Sequence, residues 1–87
     1  MELRITTETG SIYFLSKNTM TWGRIKFVEQ GDDNPYPVRT PGGQLTVWPE
    51  VRVGYSVDMM GPPLTPGATV RLVTTSRVVK VEEVSAN

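Results

Sequence analysis

Sixteen residues near the C-terminus form an almost continuous stretch of β-forming sequence whose hydrophobic alternation changes parity part-way along. Val70 and Leu72 hold one parity, whereas Val79 and Val81 hold the other. One face of such a strand stays apolar only if a bend or bulge separates the two halves. The pattern therefore predicts a long C-terminal strand that bends at residues 75–77, as strands do where small sheets turn corners.

The N-terminal part of the chain predicts three strands joined by short turns. Strands are expected at residues 2–7, 12–15 and 21–29, with turn-forming sequence at residues 8–11 and 17–20. The second strand is apolar at every position, which indicates cover on both faces, either by the rest of the domain or by another subunit. It is the best candidate for the centre of the core.

Polar and apolar side chains alternate along the third predicted strand. Ile25 and Phe27 are expected to point inward, and Arg24 and Lys26 are expected to face solvent. Trp22 stands at the beginning of this strand.

The middle of the chain is rich in proline and glycine. Residues 30–43 predict a long loop, residues 44–48 a strand that Pro49 interrupts, and residues 51–57 a strand with alternating valines. Residues 60–67 predict a second proline-rich connection that leads into the bent strand.

Together these elements predict one all-β domain over residues 1–87, a small antiparallel β-barrel or sandwich of five to seven strands with a bent C-terminal strand. A chain of 87 residues buries only about 60 to 65 per cent of its unfolded surface, so its stability margin is thin. Self-association through a strand edge or the apolar second strand is therefore expected. No apolar run is long enough to cross a bilayer or to form a signal peptide, which predicts a cytoplasmic protein.

The composition excludes much catalytic chemistry. The chain contains no histidine and no cysteine, which removes the commonest general base, the commonest metal ligand and the thiol nucleophile. No serine motif of a known hydrolase type occurs, and Asp32, Asp33 and Asn34 are interpreted as a solvated turn rather than a cation site. We therefore expect no enzyme activity, no cofactor and no metal.

Aromatic and arginine side chains on or beside the predicted loops are the candidate binding residues, because both types give large contact areas and planar hydrogen bonding. The candidates are Trp22, Arg24, Tyr36, Arg39, Trp48 and Arg52. Basic residues beside aromatic ones also occur in barrels that bind single-stranded nucleic acid. However, nine basic residues balance nine acidic ones, so the chain has no net field to attract a polyanion.

Three segments together resemble a loose group of short all-β accessory proteins encoded by bacteriophages of actinobacteria: residues 9–13, 48–51 and 74–79. These segments are turn and strand signatures, so the resemblance assigns no functional residue. It implies a host-cell cytoplasmic setting and an accessory role: binding and modifying a host component, binding a host signalling molecule, or decorating the particle. With the long predicted loop and the missing catalytic groups, the leading interpretation is a non-enzymatic accessory protein that occupies a host protein surface or sequesters a small ligand, such as a nucleotide. The alternatives are a small structural or decoration protein of the virion and a β-barrel that binds single-stranded nucleic acid.

Overall fold

The protein is all-β, as the sequence predicts. A computed structural model describes residues 1–28, 31, 35–63, 65–67 and 70–84. Seven strands and no helix occur among them: β1 (Glu2–Thr7), β2 (Ile12–Ser16), β3 (Thr21–Val28), β4 (Tyr36–Gln44), β5 (Asp58–Gly61), β6 (Arg71–Thr74) and β7 (Val78–Val84).

The strands form two antiparallel sheets that enclose one hydrophobic core. The larger sheet has the order β4-β3-β2-β1-β7, and β5 and β6 form a two-stranded ribbon. Because β4 and β7 lie at opposite edges of the larger sheet, the barrel alternative is wrong: the described strands do not close. The core cluster consists of Ile5, Leu15, Trp22, Leu45, Val57, Met59 and Val78.

The first three predicted strands and their turns are confirmed. β1 and β2 pair from Glu2–Ser16 to Thr6–Ile12, and the turn between them places Gly10 at a positive φ of 86°. β2 is the central strand of the five. The predicted cover on both faces is incomplete within one chain, because Leu15 is fully buried whereas residues 12–14 are half-buried. The prediction that Phe27 points into the core is wrong, because its side chain is 57% exposed.

The predicted loop at residues 30–43 is wrong over its second half, which forms β4. Pro37 and Pro41 lie within this strand, and they are tolerated because β4 is an edge strand that pairs only with β3. A bulge opposite Trp22 and Gly23 absorbs the irregular sequence. A side chain at Gly42 would overlap the Trp22 ring, so glycine at this position allows the indole to pack against the backbone of β4. Asp32, Asp33 and Asn34 lie outside the described residues.

The strands predicted at residues 44–48 and 51–57 do not form. Gln44 ends β4, and residues 45–57 have an irregular backbone. They include one turn, in which Tyr55 N–H donates to Arg52 O at 3.3 Å and Gly54 has a positive φ of 96°. The valine alternation suggests a strand with Val53 and Val57 on one face. In the structure Val57 is fully buried, whereas Val53 is 60% exposed. Residues of one parity therefore do not share one face in this segment.

The predicted bend at residues 75–77 is confirmed, because β6 ends at Thr74 and β7 begins at Val78. The bend carries the chain from the ribbon to the larger sheet. The single apolar face on which this prediction rests does not form: Val70 and Leu72 are each 53% exposed, whereas Val73 packs against the core. Thr75 fixes the bend, since its N–H donates to Val57 O at 3.0 Å and its Oγ1 accepts from Val57 N–H at 3.0 Å.

Candidate ligand-binding site

Strand β3 places two cations on one face of the larger sheet. Trp22, Arg24 and Lys26 alternate along β3 and therefore share a face. Trp22 is buried under the β5–β6 ribbon, whereas the other two side chains are exposed. The register sets Arg24 opposite Tyr13 of β2 and Thr40 of β4, so both cations stand beside the covered core rather than within it.

Strand β6 contributes a third cation from the ribbon. Arg71 Nη1 donates a hydrogen bond of 2.9 Å to Gly42 O, and its guanidinium carbon lies 5.7 Å from the centroid of the Trp22 ring. The side chain is therefore held between the ribbon and β4. A guanidinium group has five N–H donors, so this hydrogen bond leaves most of its donor capacity available.

Two aromatic rings connect these cations. The ring centroids of Tyr13 and Trp22 are 6.2 Å apart with an interplanar angle of 50°, an arrangement that is favourable between aromatic side chains. The Arg24 guanidinium carbon lies 5.7 Å from the Tyr13 centroid, and Arg24 Nη2 donates to Ser11 Oγ at 2.8 Å. Cation–π contacts thus occur at both ends of the aromatic pair.

These groups line one open cleft, which we name the basic cleft: Tyr13, Trp22, Arg24, Lys26, Arg71 and Val73, with residues 40–42 of β4. Its volume is about 280 Å³. None of its lining residues is acidic. The ion pairs formed within the described ranges involve other cations, namely Arg39, Arg52 and Lys80. The cleft therefore concentrates positive charge in a chain with no net charge.

The other candidate residues lie at separate places. Arg39 is on the opposite face of the larger sheet, where it forms an ion pair with Glu2 and its guanidinium carbon lies 4.6 Å from the Phe14 centroid. The hydrogen bond from Arg39 is the main reason why the pKa of Glu2 is lowered below its usual value. This arrangement uses both charges within the fold, so Arg39 has a structural contact that already satisfies it.

Tyr36, Trp48 and Arg52 do not line the basic cleft either. Tyr36 is 44% exposed at the first position of β4. Trp48 packs against the core with the Lys17 ammonium 5.8 Å from its ring. Arg52 Nε pairs with Glu50 Oε1 at 2.8 Å on an exposed surface. Of the six candidates, only Trp22 and Arg24 line the basic cleft. Trp22 also lines a separate open pocket together with Arg39.

The sequence candidates omit three charged or aromatic residues of the basic cleft: Tyr13, Lys26 and Arg71. Lys26 shares the parity of Arg24, and that alternation is a sufficient signal to find it. Arg71 could not be found in this way, because its position depends on which parity of β6 faces the larger sheet. Tyr13 is hidden in the apolar run of β2, where nothing in the sequence separates a ring at the cleft from one in the core.

Within the described ranges, no group of three or more acidic side chains is placed to hold a metal ion. The same residues contain no helix of the length and apolarity that a membrane crossing requires. Comparisons of the chain with protein-family models, with curated proteins and with solved structures found no match.

Proposed function

We propose that this protein is a non-enzymatic binding protein that takes up a phosphate-bearing ligand with a planar ring, the chemistry of a nucleotide, in the basic cleft. The observation that carries this proposal is the convergence of Arg24, Lys26 and Arg71 around Tyr13, with no acidic residue in the lining. Arginine and lysine donors form strong, charge-assisted hydrogen bonds to phosphate.

The ligand is expected to contain a planar ring because the cleft offers flat surfaces on which a ring can stack. Nucleotide bases stack on tyrosine rings and on guanidinium planes, and the cleft presents Tyr13 together with two arginines. Trp22 is only 8% exposed, so it supports the cleft from below. The ligand is therefore expected to stack on Tyr13 or Arg24, with its phosphate towards Lys26 or Arg71.

The size of the cleft favours a small ligand. Pockets for small molecules are typically about 300 to 1,000 Å³, and the basic cleft, at about 280 Å³, lies just below this range. A single nucleotide unit matches that volume better than an extended strand. Capture of a small ligand also matches one of the roles that the resemblance to phage accessory proteins implies.

The test is a calorimetric titration of the purified protein with nucleoside monophosphates and diphosphates, alongside the free nucleosides and inorganic phosphate. We expect binding by at least one nucleotide, and weaker binding by its nucleoside and by phosphate, because each contains only half of the recognised chemistry. The absence of measurable binding by every nucleotide would overturn the proposal.

Variants locate the binding in the cleft. The double variant Arg24→Ala, Lys26→Ala should weaken nucleotide binding by about tenfold or more, since each charge-assisted hydrogen bond contributes about 1.5–3 kcal/mol. The matched control is Arg52→Ala with Lys17→Ala, which removes the same charge from exposed positions outside the cleft lining. Equal losses in the two double variants would show that net charge, and not the cleft, governs binding.

A second candidate function is binding of single-stranded nucleic acid. A shallow groove of about 410 Å³ shares Arg24 and Lys26 with the basic cleft and ends at Phe27, which is 57% exposed. Phe27 offers a further surface for base stacking. An oligonucleotide that binds at least tenfold more tightly than its mononucleotide, with the difference lost in Phe27→Ala, would favour this function over the capture of a single nucleotide.

A further inference from the structure

Strand β7 forms one edge of the five-stranded sheet, and among the described residues its only strand neighbour is β1. On its outer side, the loop residues Gly54 and Tyr55 form hydrogen bonds with Val78 alone: Gly54 N–H donates to Val78 O at 2.8 Å, and Val78 N–H donates to Tyr55 O at 2.9 Å. The remainder of the strand, residues 79–84, presents an outer edge with no described backbone partner.

The backbone directions along this edge follow from the pairing of β1. Thr7 N–H donates to Ser11 O on the β2 side, and backbone groups alternate between the two sides of a strand. The N–H and C=O of Thr6 therefore point towards β7, where its partner is Lys80, and those of Lys80 point towards β1. The N–H and C=O of Val81 then point outward, away from β1. This residue is the middle position of the free edge.

We propose that two copies of this chain pair antiparallel along β7, around a two-fold axis at Val81, to form one continuous ten-stranded sheet. In that register Val81 pairs with its own copy, and Lys80 lies directly opposite Glu82 of the other chain, twice by symmetry. Lys80 and Glu82 share a face of the strand, since Lys80 Nζ lies 3.3 Å from Glu82 Oε1 within one chain. The edge is thus complementary in charge to itself.

The charges select this register over its neighbours. A shift of the two-fold axis to Lys80 or Glu82 places two lysines or two glutamates opposite one another, which destabilises a strand pair. Cross-strand positions without direct backbone hydrogen bonds bring side chains closest, and Lys80 opposite Glu82 is such a position in the Val81 register.

The opposite edge of the sheet does not offer the same contact. β4 contains Pro37 and Pro41, which lack a backbone N–H, and a bulge near Gly43 interrupts its pairing. β7 contains no proline. Its second residue, Val79, is 51% exposed. The β4 edge is therefore poorly suited to pairing with another strand, whereas the β7 edge is open and carries the complementary charges.

The charge arrangement allows a test by mixing two variants. Lys80→Glu places glutamates opposite glutamates in the proposed dimer, and Glu82→Lys places lysines opposite lysines. Each variant alone should sediment as a monomer at concentrations where the wild type is a dimer. An equimolar mixture of the two should form a heterodimer, because every opposed pair is then one glutamate and one lysine.

Sedimentation velocity and native mass spectrometry distinguish the outcomes, with Lys17→Glu as the control for an equal change of charge in the turn before β3. Thermal unfolding of each variant checks that it folds, since Glu82 also lies opposite Arg4 within the sheet. Hydrogen exchange of the wild type supplies a second readout: the Val81 amide should become protected as the protein concentration rises. A monomeric wild type, or a dimer that both variants retain as homodimers, would overturn the proposal.

Discussion

Arg39 of edge strand β4 reaches across the face of the sheet to Glu2 of β1, with Nη1 to Oε1 at 2.6 Å and Nη2 to Oε2 at 3.0 Å. Two strands lie between these residues in the sheet order. The guanidinium group passes over Phe14 of the central strand. This two-hydrogen-bond pair therefore connects the edge of the sheet to its interior strands without using the backbone ladder.

Glu2→Gln should lower the free energy of unfolding by about 1 kcal/mol near neutral pH, since Arg39 is half exposed and the pair is partly screened. The pKa of Glu2 is lowered in the folded protein, so its stabilising effect is present above the unfolded value of 4.5. That effect is lost as the pH falls through the folded pKa. Urea denaturation at pH 7 and in acid measures it.

The control for this prediction is Glu50→Gln, because Glu50 and Arg52 form a more exposed ion pair with side chains 73% and 66% exposed. This variant should change the stability little at either pH. A Glu2→Gln deficit that persists unchanged in acid would contradict the assigned role of the carboxylate.

Gly23→Ala should destabilise the domain by about 1–3 kcal/mol, because a Cβ atom at this position would overlap both the Phe14 ring and the backbone oxygen of Thr40. The Phe14 ring covers the glycine across the β2–β3 pair. Adding Phe14→Leu should recover part of the loss, since it removes one of the two clashes. Chemical denaturation of the three variants measures this coupling, and a fully additive double variant would contradict the packing of Phe14 over Gly23.

Thr75→Val should destabilise the domain by about 1–3 kcal/mol, because it leaves the buried Val57 N–H without its hydroxyl acceptor. Thr75→Ser retains the hydroxyl and should keep most of that stability, apart from the loss of one methyl group. Thermal unfolding of both variants separates the hydrogen bond from the packing. Equal destabilisation by valine and serine would show that the hydroxyl does not fix the bend.

Nucleotide binding in the basic cleft should weaken as the salt concentration rises, because exposed cations on Arg24 and Lys26 supply much of the attraction and salt screens them. Calorimetric titrations of the wild type at two ionic strengths measure this dependence. The Arg24→Ala, Lys26→Ala variant should show a smaller dependence on salt than the wild type. A binding constant independent of salt would indicate that stacking, and not charge, holds the ligand.

Local sequence patterns predict the elements whose contacts are local. β1, β2, β3 and their turns follow from alternation and turn residues, and the parity change at residues 75–77 predicts the bend. β4 could not be predicted, because proline and glycine within a strand are acceptable only at a sheet edge, which is a property of the assembled sheet. The strand predicted at residues 51–57 does not form, and its alternating residues do not share one face, because Val57 is buried while Val53 and Tyr55 are exposed.

The residues of the candidate site also differ in whether the sequence alone predicts them. Arg24 could be identified because it lies beside an aromatic residue on a predicted strand, but its neighbours Tyr13 and Arg71 come from other strands. Arg71 reaches the cleft only because the bend folds β6 over the larger sheet. Arg39 is a candidate for the same reason as Arg24, namely an arginine near an aromatic residue. Its pairing with Glu2, however, depends on a contact across 37 residues of chain. Sequence finds the residue types, and the topology decides which of them meet.

The most direct test of the basic cleft is a two-dimensional NMR titration of the wild-type protein with the nucleotide that binds best in calorimetry. Saturable chemical-shift changes are predicted for Tyr13, Arg24, Lys26 and Arg71, with little change at Arg39 and Arg52. Shift changes that cluster around Arg39 or Arg52, or that remain scattered and do not saturate, would contradict binding in the basic cleft.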